Sequence, residues 1–403
     1  MTHYQGSEDA DAQHTDFMVI GFDARPAARP ASRKRGVGMY TGKLYQALSE
    51  RNRAVGSPHR FVVALSRGMP APAFDDCDYL PAVKRPSRAQ WVVDRHTLPG
   101  FLSRNKIEIF HATDFTSIPV SSSSRIIAHV HDMIPFIFWK QYAPRIPVDF
   151  RWALKQARRR MLKADRVITD SYASMRDIAE ISGYPPDRIR VVYFGPAASD
   201  SAEIASGRPG KLSPYLNGLT SRPYFLYVGG TDFRKNVPFL IRAFSRFSEK
   251  HAEAGLLLVG ETFRMRGIRE VEEIYSEISR CGLEDRVHIT GFVDEESLCA
   301  LYRGALALVF PSLYEGFGVP VLESMALGTP VLAAQTSSIP EILGEAGLYF
   351  DPLEEDTLVD QLEVVYTGGA LRERLRTQAR LRAEQFSWEK AAEEVFRIYE
   401  ELF

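Results

Sequence analysis

The chain has 403 residues, 45% of them hydrophobic and 25% charged, with 50 Lys and Arg against 51 Asp and Glu for a formal net charge of -1. This is enough apolar material for two ordinary cores, and the balanced charge gives no general attraction to nucleic acid. Cys77, Cys281 and Cys299 lack metal-ligand or disulfide-framework spacing, which points to a reducing cytoplasm, and no apolar run approaches the roughly 20 residues of a membrane span.

Residues 1–15 are polar and are expected to form a disordered leader. A first domain, residues 16–203, opens with a buried strand from Phe17 to Phe22. A loop with Arg25, Arg29, Arg33 and Arg35 follows, then Gly36, Val37 and Gly38, then a helix from Met39 to Glu50. Strand, Gly-x-Gly, helix fits a phosphate cradle, and it fits a tight turn with close helix packing equally well. Strands at Arg60 to Leu65, Ile107 to Phe110, Arg125 to Val130, Val167 to Thr169 and Ile189 to Tyr193 alternate with helical stretches. Such alternation predicts a doubly wound parallel sheet, an α/β fold. His131 and Asp132 directly follow one of these strands, where ligands of such sheets gather. Phe136, Ile137, Phe138 and Trp139 precede a basic helix, Arg151 to Arg166. Together they suit either an anionic membrane surface or a solvated face beside core aromatics.

A linker is expected at residues 204–222, within a stretch from Gly195 rich in Ser, Ala, Gly and Pro. The second domain, residues 223–386, alternates again. Its strands are Tyr224 to Val228, Gly255 to Val259, Val287 to Thr290 and Ala305 to Phe310, with further strands near Val331 and Leu348. Its helices are Val237 to Lys250, Val271 to Cys281 and Ser297 to Gly304. A last helix, residues 387–403, is capped by Ser387.

Two constellations in this half suit an anion. Gly229, Gly230, Thr231, Asp232, Phe233, Arg234, Lys235 and Asn236 sit between a strand and a helix, offering open backbone beside two cations. Val309 to Pro330 reads as strand, glycine-bearing turn and helix, with Glu315 and Glu323 bracketing a helix start whose dipole favours negative charge. Phe292 and Val293 end a neighbouring strand and offer an apolar slot for a stacked base. Asp76, Cys77 and Asp78 are read as a surface loop rather than a metal clamp, and no metal site is expected.

Glu315 and Glu323, with seven residues between them, resemble the signature of the retaining glycosyltransferases of the GT-B fold, the family of bacterial mannosyltransferases, glycogen synthases and sucrose synthase. Tyr227 to Asn236, Val287 to Val293, Pro311 to Pro330 and Phe386 to Trp388 resemble its common blocks, and His131 to Pro135 is similar to the O-antigen and exopolysaccharide subgroup. The resemblance implies two Rossmann-like domains facing a central cleft, with the C-terminal helix packing back on the first. It implies that Glu323 holds the ribose, and that Glu315 with the backbone of Gly316, Phe317 and Gly318 holds the donor sugar and diphosphate. Arg234 and Lys235, beside Gly230, would neutralise the diphosphate. Phe292 and Val293 would frame the base, Gly36 and Gly38 would close over the phosphates, and His131 would lie near the reacting carbon, oriented by Asp132. One departure is that Gly230 and Thr231 stand where relatives often carry a basic residue.

The implied reaction moves a sugar, mannose from GDP-mannose by subgroup similarity, to a lipid-linked or polysaccharide acceptor, with retention and without metal or cofactor. Alternatives are a UDP- or dTDP-sugar donor, a non-catalytic nucleotide- or glycan-binding module, and a GT-B-like epimerase. The implied location is the cytoplasm, with peripheral contact to the inner face of the membrane.

Overall fold

A computed structural model describes residues 17–28, 36–56, 58–66, 77–80, 90–196 and 220–403. The leader, most of the linker, Asp76, and Arg29, Arg33 and Arg35 lie outside the described residues.

Two all-parallel sheets result. The first contains β1 (Val19–Asp23), β2 (Arg60–Ser66), β3 (Cys77–Leu80), β4 (Ile109–Ala112), β5 (Arg125–His129), β6 (Arg166–Thr169) and β7 (Ile189–Val191), in the order β3-β2-β1-β4-β5-β6-β7. The second contains β8 (Tyr224–Val228), β9 (Gly255–Val259), β10 (Val287–Gly291), β11 (Leu308–Phe310), β12 (Val331–Ala334) and β13 (Leu348–Phe350), in the order β10-β9-β8-β11-β12-β13. Central strands such as Leu256, Leu257 and Leu258 of β9 are fully buried, because helices cover both faces of a parallel sheet. Strand order reverses between β1 and β4 and between β8 and β11, and each reversal opens a crevice at the carboxyl ends of the strands.

Several expectations are corrected. β1 begins at Val19, and Phe17 is 59% exposed outside it. Cys77 and Asp78 lie in edge strand β3, not a loop, because β2 offers them a free parallel edge, Val63 pairing with Cys77 and Ala64 with Asp78. The helix expected from Met39 begins at Gly36, so Gly36 and Gly38 occupy its first turn rather than a loop before it. Arg25 begins a short helical turn, Arg25–Ala28, and its buried guanidinium pairs with Asp23 through Nε–Oδ1 at 2.6 Å and Nη2–Oδ2 at 3.0 Å. The basic helix is Val148–Met161, while Arg166 opens β6. Helices Gln90–Arg104, Glu355–Thr367 and Gly369–Ala383 were not anticipated.

The C-terminal helix Trp388–Glu400 crosses to the first domain. Phe396 packs edge-on against Phe61, Tyr399 Oη lies 2.8 Å from His111 Nδ1, and Arg51 pairs with Glu393. At the crossing, the Trp388 indole N–H donates to the Pro196 carbonyl at 3.1 Å. One apolar cluster runs through Phe194, Phe317, Phe386 and Trp388 and joins both sheets.

On the outer face of the first domain, Phe136 stacks on Trp139, with Arg158 over the former ring and Lys155 over the latter. Along the helix Val148–Met161, Val148 is 70% exposed, Trp152 45%, and Leu162 just beyond its end 46%. Lys155, Arg159 and Lys163 are also exposed on that stripe. Among the described residues, no helix is long and apolar enough to cross a membrane.

Candidate active site

The second-domain wall is built around Glu315. After β11, the turn reaches the helix Val319–Ala326 through Gly318, whose φ of +106° and 2.7 Å approach of a built Cβ to Ile339 Cδ1 leave room only for glycine. Pro320 sits in the first helical turn, where its missing N–H costs nothing. Glu315 is 7% exposed; its Oε1 lies 2.5 Å from Lys235 Nζ and its Oε2 accepts from Arg234 Nη1 at 2.9 Å. Burial alone would raise its carboxyl pKa, but Lys235 and Arg234 hold it below the ordinary value. The cations arrive on the turn after β8, where the Asp232 side chain caps the 3-10 turn Phe233–Lys235 and Asn236, at φ 55°, redirects the chain into helix Val237–Ser248. Ser337 and Ser338, unremarked in the sequence, fix the loop: Glu315 N–H donates to Ser337 Oγ at 2.8 Å, and Ser338 Oγ lies 2.9 Å from the Phe317 carbonyl oxygen.

The facing wall comes from the first domain. His131 Nδ1 lies 2.7 Å from Asp170 Oδ2, and its Nε2 lies 3.2 Å from the Thr113 carbonyl oxygen. Burial disfavours the charged ring, but Asp170 outweighs it and raises the pKa of His131. Asp132 was expected to orient His131; instead its Oδ1 accepts at 2.9 Å from the N–H of Ile134, the first residue of the short helix Ile134–Ile137. The orienting carboxylate is Asp170, directly after β6, which sequence reasoning passed over although it obeys the same strand-end rule as His131.

The walls meet. Ser171 Oγ donates to the Gly316 carbonyl at 2.6 Å, and Ser174 Oγ lies 3.0 Å from the His131 carbonyl oxygen. Glu341 accepts from the Tyr172 and Ala173 N–H groups at 2.8 and 3.3 Å, so a second-domain carboxylate sits on the start of the first-domain helix Tyr172–Ser182. Tyr142 Oη donates to Asp232 at 2.7 Å, and Phe138 packs against Phe233 and Tyr314. Part of the aromatic run considered for a membrane is therefore spent across the cleft.

The remaining site residues spread along the second wall. Glu323 accepts from the buried Tyr302 hydroxyl at 3.0 Å. The Phe317 ring packs on Phe194, leaving its backbone at the turn. Phe292 is 52% exposed and Val293 is buried, after Gly291 at φ +73°. The Gly230 carbonyl accepts from Tyr227 Oη at 2.7 Å. Gly36 has a φ of +55° with no atom within 4 Å of a built Cβ, and Gly38 is buried. Among the described residues, His129, His131 and Asp170 have ligand atoms within 4.8 Å of one another. Both imidazoles are already hydrogen-bonded to the one carboxylate, so their donor atoms are spent on each other.

Two Rossmann-like domains facing each other across a cleft at their switch points make this the GT-B arrangement. The family model Glycosyl transferases group 1 matches residues 216–382, and Glycosyltransferase Family 4 matches residues 34–195. O-antigen chain mannosyltransferase B of Escherichia coli is 30% identical over 281 residues, 69% of this chain and 71% of that protein. Among solved structures, sucrose-phosphate synthase from Thermosynechococcus elongatus superposes with a TM-score of 0.74 at 21% identity, covering 96% of this chain and 99% of that one. Anabaena HepE in complex with UDP and glucose gives 0.69 at 19% identity, covering 95% of this chain and 100% of that one. The chain belongs to the group 1 glycosyltransferase family.

Proposed function

We propose that this protein is a retaining, metal-independent hexosyltransferase that moves mannose from GDP-mannose to a lipid-linked or polysaccharide acceptor in bacterial surface-glycan synthesis. The observation that carries the reading is the trio Lys235, Glu315 and Arg234 on the turns after β8 and β11, with Glu315 buried and 2.5 Å from Lys235. Arg234 also lies 3.5 Å from Asp232, so two cations face two carboxylates in the free site. Drawn towards an incoming diphosphate, Lys235 and Arg234 would stabilise charge on the leaving group far better than water does, because the site's dipoles are fixed. The choice of mannose rests on the name of the E. coli relative.

In this mechanism the donor enters with its base beside Phe292 and Val293, its ribose on Glu323, and its diphosphate against Gly230, Arg234, Lys235 and the N–H groups of Gly316 to Gly318. Gly36 and Gly38 approach the phosphates from the first domain. Glu315 accepts from sugar hydroxyls as Lys235 and Arg234 turn to the phosphates, and His131 lies beside the reacting carbon. The bond from the anomeric carbon to the diphosphate breaks as the acceptor hydroxyl attacks from the same face. The acceptor proton passes to the departing phosphate oxygen. The protein works in the cytoplasm, resting on the inner face of the membrane through its outer basic helix.

The test is transfer of labelled sugar from GDP-, UDP- and dTDP-sugars, with and without lipid-linked acceptors. Turnover of GDP-mannose is expected, and Lys235→Ala and Glu323→Ala should each lose about 10²–10³ in kcat/KM while staying folded. Full activity in both variants would sink the reading. Isomerisation of the donor sugar without acceptor would replace it with an epimerase.

A further inference from the structure

Asp170 is 3% exposed, and both of its oxygens are engaged. Oδ1 lies 2.7 Å from His129 Nε2, and Oδ2 lies 2.7 Å from His131 Nδ1. An ionised carboxylate only accepts, so both facing nitrogens carry hydrogen. The second nitrogen of each ring decides the charge. His129 Nδ1 faces the Tyr40 hydroxyl at 3.3 Å, a group able to donate, and a neutral His129 satisfies every contact. His131 Nε2 faces a carbonyl, that of Thr113 at 3.2 Å, which only accepts. Both nitrogens of His131 thus face acceptors, and the species that satisfies both is the imidazolium.

We propose that Asp170 is a positioning residue that holds His131 as an imidazolium, so that the free cleft presents a charged N–H, resting on the Thr113 carbonyl, to an oxygen of the incoming donor. The inference rests on the reading of this cleft as a donor site. His129 occupies the other carboxylate oxygen and stops Asp170 from rotating away. The groups facing His131 favour charge: Asp170 after β6, Asp114 after β4 and Asp132 on its own strand end are carboxyls, while Tyr40 from the helix Gly36–Ala54 packs its ring 4.8 Å away. Burial, followed by the proximity of His131, lowers the pKa of His129 despite Asp170, so His131 is the ring that takes the proton.

The charged form exists below the pKa of His131 and is lost as pH rises through it, so the Asp170 contact moves that loss to higher pH. Following the Cε1–H signal of His131 by NMR in the whole chain, assigned by its absence in His131→Asn, should give a pKa above the ordinary ~6.5. In Asp170→Asn, which keeps the shape and removes the charge, the value should fall by about one to three pH units. The alkaline limb of kcat/KM should move down by the same amount, with about tenfold lost at pH 8 for each unit. Wild-type His131 titrating at or below the ordinary value overturns the proposal even if the variant fails to fold. An unchanged titration in folded Asp170→Asn overturns it as well. Wild type that turns over no donor would refute the transferase reading, and the titration of the free protein would still decide the role of Asp170.

Discussion

A methyl group placed on Gly316 would come 2.8 Å from Asp132 Cβ and 3.0 Å from the His131 carbonyl oxygen. Neither neighbour is the free end of a flexible side chain, so Gly316→Ala should push the domains apart rather than be absorbed locally. Overpacking of this kind costs about 1–3 kcal/mol, borne here by the closed form. We expect a larger radius of gyration by small-angle scattering and a drop of about tenfold or more in kcat/KM. An unchanged scattering profile would show that Gly316 does not set the closure. At this scale the sequence was legible where local pattern marks a residue. Glu315, Gly318 and Lys235 announced themselves by a glycine turn, a helix start and paired cations. Asp170 stands at a strand end as His131 does, but its two imidazole partners become visible only when β5 and β6 pair.

Among the elements, the helix Val148–Met161 stands apart. Val148, Trp152, Lys155, Arg159 and Leu162 recur at helical spacing, so apolar groups and cations share one exposed stripe. Such a stripe suits the boundary of an anionic bilayer, with each cation near the surface worth about 1 kcal/mol. Trp152→Ser should reduce co-sedimentation with phosphatidylglycerol vesicles severalfold while leaving transfer to a soluble acceptor intact. Equal sedimentation of both proteins would remove the membrane role. The strands of the second domain were legible as short apolar runs, since a strand buried on both faces needs little but Val, Leu and Phe. The helix Gly369–Ala383 escaped because it buries only Leu375, Ala379 and Ala383 amid many arginines, too narrow a stripe to read against polar surroundings.

At the scale of the molecule, the chain passes between the domains at two neighbouring points. One is Gly195 and Pro196; the other is Ser387 and Trp388. A Cβ on Gly195 would meet Trp388 Cδ1 and backbone N at 2.8 Å, and the Trp388 indole bonds Pro196. We expect the two crossings, held side by side, to act as one hinge for closure of the cleft. Trp388→Ala would remove a ring 5% exposed that touches Tyr40 and Phe194, at a cost of about 3–5 kcal/mol. A fall in melting temperature of many degrees is expected, and differential scanning calorimetry should locate the loss in the first domain. Loss from the second domain alone would contradict the packing described here. The two-domain plan was legible from alternating strands and helices, but the hinge was not, because it joins positions 192 residues apart.

The return of the helix Trp388–Glu400 also bears on how the protein is made. The last strand of the first domain, ending at Val191, leaves the ribosome roughly 200 residues before the helix that covers Phe61, His111 and Tyr45, so the domain must wait with an apolar flank open while the second is synthesised. At typical rates of translation that interval is about 10–40 seconds, long enough for a chaperone to hold the flank until that helix arrives.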